Sequence, residues 1–237
     1  MIPIAQTSFD KNEKKYVVDC INSGWVSSAG KYISKFESSF SKYVGGGYAL
    51  AVSNGTHAIE IALKSLDLKK GDEVILPNLT FAATINAVIN AGFKPVLVDI
   101  DPDTWTISLK KIIHAITNKS KVILTVHLYG QPSKIKEIKK IAKENNLFVI
   151  EDCAEALGST YNKSKIGNLT DISTFSFYAN KLITTGEGGI VVFKRKSHYQ
   201  LAKKIINQGR STKIYFWHDV VGSNYRMTNM QAAIGLA

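Results

Sequence analysis

Short apolar runs and stretches of helical periodicity take turns along most of this 237-residue chain. Runs of strand length lie at 48–53, 73–76, 95–100, 122–128, 148–152, 173–177 and 190–193. Helical candidates fall between or after them at 56–66, 81–91, 109–116, 134–145 and 198–208. Strands joined through helices predict an α/β fold with a mostly parallel sheet between helices, because each right-handed crossover lays its helix on one face. In such sheets ligands bind beyond the carboxyl ends of the strands. Chemistry should therefore be sought there.

Residues 1–47 break the pattern. They carry a helix over Lys11–Ser23, an extended Gly-Trp-Val-Ser-Ser segment at 24–28 and a triple glycine at 45–47. These read as an N-terminal arm and lead-in helix attached to one large domain at 48–237, not as a domain of their own. At the other end, residues 225–237 open an Ala-rich helix, and the sequence stops inside it with no C-cap signal. The expectation is a chain cut short within a helix.

The formal net charge is +11, from 30 Lys and Arg against 19 Asp and Glu. Such a surface attracts anions of several kinds, among them nucleic acid, anionic membranes and phosphorylated small molecules. The lysines are scattered along helix faces, as at 134, 136, 139, 140 and 143, with no basic stripe interleaved with aromatics. That spacing argues against nucleic-acid binding. Cys20 and Cys153 have no metal-ligand spacing and fit a reducing compartment. The first ten residues lack the pattern of a signal peptide. No apolar run approaches the ~18–20 residues that span a bilayer, so a cytoplasmic protein without membrane insertion is expected.

Three segments carry chemistry. In Ser53-Asn54-Gly55-Thr56, between a strand and a helix, Gly55 permits a tight turn and the helix start offers free N–H groups to a phosphate. The same residues also serve as ordinary turn and N-cap residues. In the second segment, the apolar run 148–152 ends in Asp152, a carboxylate that is costly there unless paired or hydrogen-bonded. It reads either as the partner of a cation or as the cap of the next helix. Asp99, Asp101 and Asp103 lie at another strand end but lack the Gly and closing Glu of a calcium loop, and they read as a turn, so no metal is expected. The third segment, STFSFYANKLITTGEGG, frames Lys181 with aromatic and aliphatic residues and then with glycines. An apolar frame desolvates an amine and favours the neutral nucleophile that forms imines. An imine-forming lysine with a strand-end aspartate is the pair a pyridoxal 5'-phosphate (PLP) site needs, since the aspartate keeps the pyridine nitrogen protonated and the ring an electron sink.

EDCAEALGS, FSFYANKLITTGEGG and NYRMTNMQAAIGLA together resemble the sugar-nucleotide aminotransferases, a family of fold-type I PLP enzymes with the aspartate-aminotransferase architecture. GWVSSAGKYISKFE, SNGTHAIEIAL and PNLTFAAT extend the resemblance to essentially the whole chain. The resemblance implies that Lys181 forms the imine with PLP and moves the proton, that Asp152 pairs with the pyridine nitrogen, and that Glu155 lies near the ring hydroxyl. Many members carry Gln at the Glu155 position. It further implies that Phe81 stacks on the ring, although the residues alone read equally well as a core aromatic. Gly55, Thr56 and Ser176 would hold the phosphate, with Asn229 completing the grip from the neighbouring subunit of a homodimer. A smaller C-terminal domain normally follows in the family.

ITTGEGG looks closest to the perosamine-forming branch. The implied reaction is amination at C4 of a nucleotide-linked 4-keto-6-deoxyhexose with L-glutamate as donor, for surface-polysaccharide synthesis. Amination of a 3-keto sugar, a non-catalytic binding relative and an inactive fragment stand as alternatives. Sister enzymes that dehydrate the sugar at C3 resemble this family but have His where Lys181 stands, so the lysine favours transamination. His127 and His218 read as structural, because one lysine suffices for the proton shift.

Overall fold

The computed structural model describes residues 5–211 and 213–237. In chain order the elements are α1 (Lys11–Ser23), α2 (Lys31–Tyr43), β1 (Tyr48–Val52), α3 (Gly55–Lys64), β2 (Glu73–Pro77), α4 (Ala82–Asn90) and β3 (Lys94–Val98). There follow α5 (Leu109–Ala115), β4 (Ser120–Val126), a short 3-10 turn (Leu128–Gly130), α6 (Ile135–Glu144) and β5 (Phe148–Asp152). A small hairpin, β6 (Thr160–Tyr161) with β7 (Ser164–Lys165), precedes β8 (Ile172–Ser176), β9 (Gly189–Phe193), α7 (Lys196–Ile205) and α8 (Asn229–Leu236).

Seven strands form one sheet in the order β1-β9-β8-β5-β4-β2-β3. The pairs β2–β3, β2–β4, β4–β5 and β5–β8 are parallel. Only β9 runs against its neighbours, pairing antiparallel with both β8 and β1. The mostly parallel sheet is thus present. Its single reversed strand follows from the connection between β8 and β9, a loop with no crossover helix.

Alternation along each strand feeds two faces. Leu50, Val52, Val74, Leu76 and Ile150 face α3, α4 and α7 in one cluster. On the opposite face, Ile75, Ile123 and Val149 pack with Ile112 of α5 and Ile138 and Ile141 of α6. Farther along that face, Ala49, Ala51, Phe175 and Val192 pack with α1, α2 and α8. The strand ends at which Ser53, Thr80, Val126, Asp152 and Ser176 emerge lie at one edge of this sandwich, as parallel topology requires.

The N-terminal segment holds a second helix, α2, that the sequence reading left out. Its Tyr32, Phe36 and Phe40 recur at helical spacing and are buried. Phe36 and Phe40 meet Phe177 edge to face at centroid distances of 5.3 and 5.6 Å, and Phe40 meets Phe175 at 4.8 Å. Eight polar or small residues among the thirteen of KYISKFESSFSKY mask that stripe. Helix α8 begins at Asn229, later than the Ala-rich run suggests. Thr228 and Gln231 form a capping box there, and that fixes the start.

Phe36 joins the N-terminal helices to the strand that leads into the lysine loop. Phe36→Ala should therefore lower unfolding stability by about 3–5 kcal/mol, the cost of emptying a buried aromatic site. Guanidinium unfolding measures this, and a loss under about 1 kcal/mol would show that the segment packs only loosely.

Candidate active site

Asp152 ends β5 and is 5% exposed. It points to the α3/α4 side of the sheet, where its Oδ2 accepts from Thr84 Oγ1 at 3.0 Å and its Oδ1 from the Ala154 N–H at 3.1 Å. Burial pushes its carboxyl above the usual range, and these two hydrogen bonds, with His127 and Lys181 nearby, only partly offset the push. Thr84 is held in turn by Thr80, 2.8 Å away.

Glu151 points the other way and was not singled out by the sequence reading. Its carboxylate accepts from Thr170 N–H and Oγ1 at 3.1 and 2.9 Å, from Leu169 N–H at 3.2 Å and from His127 Nε2 at 3.2 Å. Burial alone would raise its pKa. The His127 ring and the other donors outweigh burial and hold the carboxyl below its ordinary value. His127 Nδ1 accepts the Ser133 N–H at 3.0 Å, which puts the ring proton on Nε2, facing Glu151. His127 is fully buried and His218 is exposed on its loop. Neither lines the pocket at Asp152.

Lys181 sits in the loop between β8 and β9. The loop is pinched at its neck by Phe177 N–H to Gly188 O at 2.9 Å and Thr185 N–H to Phe177 O at 3.0 Å. The sequence reading places the amine in an apolar frame, and the structure corrects this. Lys181 Nζ lies 3.5 Å from Glu155 Oε1, and Glu155 Oε2 accepts the Tyr129 N–H at 3.0 Å. The reason is directional: Phe177 turns into the core beneath the loop, while Tyr178 and Leu182 turn outward. The lysine is 19% exposed at the pocket wall.

Gly55 opens α3 against Ser176. A Cβ at Gly55 would lie 2.7 Å from Ser176 Cβ and 2.9 Å from its Oγ, so only glycine allows this approach. Asn54 caps the helix through the His57 N–H at 2.8 Å. The N–H groups of Gly55 and Thr56 precede the first possible intrahelical acceptor and are available to an anion. Phe81, the N-cap residue of α4, is 74% exposed, which removes the core-aromatic reading.

One pocket of about 460 Å³ gathers Gly55, Thr56, Phe81, Asp152, Glu155, Ser176 and Lys181. Asn54, Thr80, Thr84, Tyr178, Asn180 and Glu187 also line it and were missed as site residues. Thr80 and Thr84 recur one helical turn apart in LTFAAT, and that spacing was the available signal. Asn229 does not join the group. Its side chain is spent within its own chain, Oδ1 accepting the Tyr32 N–H at 3.0 Å and Nδ2 donating to Trp25 O at 2.6 Å. At 1% exposure it clamps the 25–32 segment to α8 and has no free donor for a phosphate.

A parallel-sheet chain with a lysine, a buried strand-end aspartate and a glycine–serine cradle in one pocket has the arrangement of a fold-type I aminotransferase large domain. The chain belongs to the DegT/DnrJ/EryC1/StrS aminotransferase family, whose model matches residues 7–237. It is 51% identical over 236 residues to the GDP-perosamine synthase of Escherichia coli O157:H7 and 44% identical over 237 residues to that of Vibrio cholerae. Each match covers 100% of this chain and 65% of the relative, so the chain spans less than two thirds of their length. Among solved structures, a GDP-4-keto-6-deoxymannose-3-dehydratase with a trapped PLP-glutamate geminal diamine matches with a TM-score of 0.92 and 30% identity. That match covers 99% of this chain and 66% of the other.

A buried carboxyl with a raised pKa favours the folded state while protonated and loses that contribution as pH rises through its folded pKa. In cofactor-free protein, Asp152→Asn should therefore be more stabilising, or less destabilising, at pH 8 than at a pH near the ordinary carboxyl value of 3.8, as read by guanidinium unfolding. An equal effect at the two pH values would contradict the assignment of Asp152 as a desolvated carboxyl. Gly55→Ala should separate α3 from Ser176 and weaken phosphate retention in the pocket by about tenfold or more, measured by titration with pyridoxal phosphate.

Proposed function

We propose that the chain is the cofactor-binding part of a PLP-dependent aminotransferase that converts a nucleotide-linked 4-keto-6-deoxyhexose to its 4-amino-4,6-dideoxy form, with glutamate as amino donor. The observation that carries the reading is the buried Asp152 facing the same pocket as Lys181. The residues fit PLP. Asp152 is an acceptor held by two donors in the pocket, and a cationic ring nitrogen beside it would offset the rise in pKa that its burial causes. The cradle of Gly55, Thr56 and Ser176 suits a phosphate.

When bound, PLP supplies the electron sink and carries the amino group between the two half-reactions. The chain's residues do the rest. Lys181 would hold the cofactor through its amine, and that amine is the group that would carry a proton at the substrate carbon. Glu155 faces the Lys181 amine and is fixed by the Tyr129 N–H, so it orients that amine. Phe81, exposed at the pocket mouth, offers a face to the ring. Thr84 holds one oxygen of the Asp152 carboxylate in place.

The substrate assignment draws on the relatives named GDP-perosamine synthase and on the Lys181 segment, since a dehydratase shares the same fold. The assembly is a homodimer in this reading, as the exposed Tyr215, Phe216 and Trp217 give the domain an apolar surface fit for a second copy. The proposed domain division is an N-terminal arm and lead-in helix at 1–47 and a PLP-binding large domain at 48–237. Among the described residues no helix is long and apolar enough to cross a membrane. A cytoplasmic enzyme is proposed.

The test supplies the protein with PLP, L-glutamate and GDP-4-keto-6-deoxymannose and follows products by mass spectrometry. The expected result is a GDP-linked 4-amino-4,6-dideoxy sugar with matching 2-oxoglutarate, reduced about a thousandfold or more in Lys181→Ala. No amino sugar from this or any 3-keto nucleotide sugar would leave a binding protein instead of an enzyme.

A further inference from the structure

His57 lies on the first turn of α3, behind the turn that cradles the phosphate, and no part of the proposed reaction uses it. Its Nδ1 is 2.7 Å from Ser53 Oγ and 3.1 Å from Asn54 Nδ2. The Asn54 carboxamide cannot turn over, because its Oδ1 already accepts the His57 backbone N–H at 2.8 Å. Asn54 Nδ2 is therefore a donor, and Nδ1 must be a bare acceptor with the ring proton on Nε2. One ring nitrogen thus receives both side chains that lead into Gly55 and Thr56.

The ring is fixed from behind. It packs edge to face with the Tyr225 ring at a centroid distance of 4.8 Å, and Tyr225 OH donates to Glu60 at 2.8 Å. Glu60 also takes Lys64 Nζ at 2.6 Å. The Tyr225 carbonyl accepts the Ser53 N–H at 2.8 Å, so the segment before α8 holds the turn from two sides.

We propose that His57 is a positioning residue for the phosphate cradle, holding Ser53 and Asn54 so that the Gly55 and Thr56 N–H groups converge on one anion. The inference rests on the reading of this pocket as a PLP site. It implies a pH dependence. A proton on Nδ1 would set an N–H against Asn54 Nδ2 at 3.1 Å and break that contact, while Ser53 can reverse its role. Burial, with Lys64, lowers the His57 pKa against the opposing pull of Glu60. Of the other charges nearby, Arg226 turns to Asn224, Lys204 of α7 pairs with Asp219 and Lys203 lies over Tyr199. The cradle therefore holds at neutral pH and loosens in acid.

The experiment titrates PLP into the full chain at pH 7.5 and pH 5.5, reading its dissociation constant by protein fluorescence, for wild type, His57→Asn and His57→Phe. Asn places a non-titrating acceptor where Nδ1 stands, and Phe keeps the ring's bulk without an acceptor. At pH 7.5, His57→Phe should bind about tenfold more weakly, the worth of a lost hydrogen bond, while His57→Asn stays near wild type. Between the two pH values, wild type should weaken several-fold more than His57→Asn. Equal dissociation constants and equal pH responses in all three overturn this inference alone. Failure of wild type to bind PLP at either pH overturns the PLP reading along with it.

Discussion

Asp152 is a carboxylate at the end of a central parallel strand, almost out of reach of water, and among the described residues it forms no ion pair. Burying such a group is expensive unless something cationic is brought to it. The surroundings keep the acceptor in place without neutralising it. Thr84 and the Ala154 N–H orient the oxygens, and the second carboxylate of the strand, Glu151, is turned to the opposite face and saturated there by its own donors. Two adjacent acids thus face opposite sides of the sheet. One anchors the loop at 167–170, and the other lines the pocket.

Everything else in the pocket is set relative to that floor. The β8–β9 loop carries Lys181 toward it, and the loop's root, Phe177, is locked among Phe36 and Phe40 of α2. The N-terminal helices therefore hold the lysine indirectly, through aromatic packing. Asn229 fastens the same helices to α8. On the other wall, Gly55 lets α3 close on Ser176, and Gly189 lets β9 begin against the Asn54 backbone. The reversal of β9 thus brings the glycines after Lys181 alongside the turn at Asn54 and Gly55.

Much of this was legible in the sequence. The two hydrophobic periods located every strand of the main sheet, because buried parallel strands read as short apolar runs. Asp152 and Lys181 stood out since a charged group at the end of such a run, or amid aromatics and glycines, needs a reason. The hairpin at 160–165 was illegible because two-residue strands leave no period, and α2 because Ser and Lys interrupt its aromatic stripe. The Lys181 frame was misjudged because side-chain direction in a loop does not follow from spacing. Glu155, distant in sequence, supplies the neighbour that spacing could not show. The contacts of Asn229 within its own chain were illegible for a related reason: its conformation is decided by the 25–32 segment, some two hundred residues away.

In the proposed reading a single lysine, Lys181, would hold the cofactor in the pocket that Asp152 lines. With 30 Lys and Arg residues in the chain, that choice of one lysine can be tested directly. Protein loaded with pyridoxal phosphate is reduced with borohydride, digested, and the peptides are sequenced by mass spectrometry. The account predicts a phosphopyridoxyl group on Lys181 in the YANKLITTGEGG segment, lost in Lys181→Ala and not relocated. Stoichiometric labelling of another lysine, or none in protein that has bound the cofactor, would contradict it.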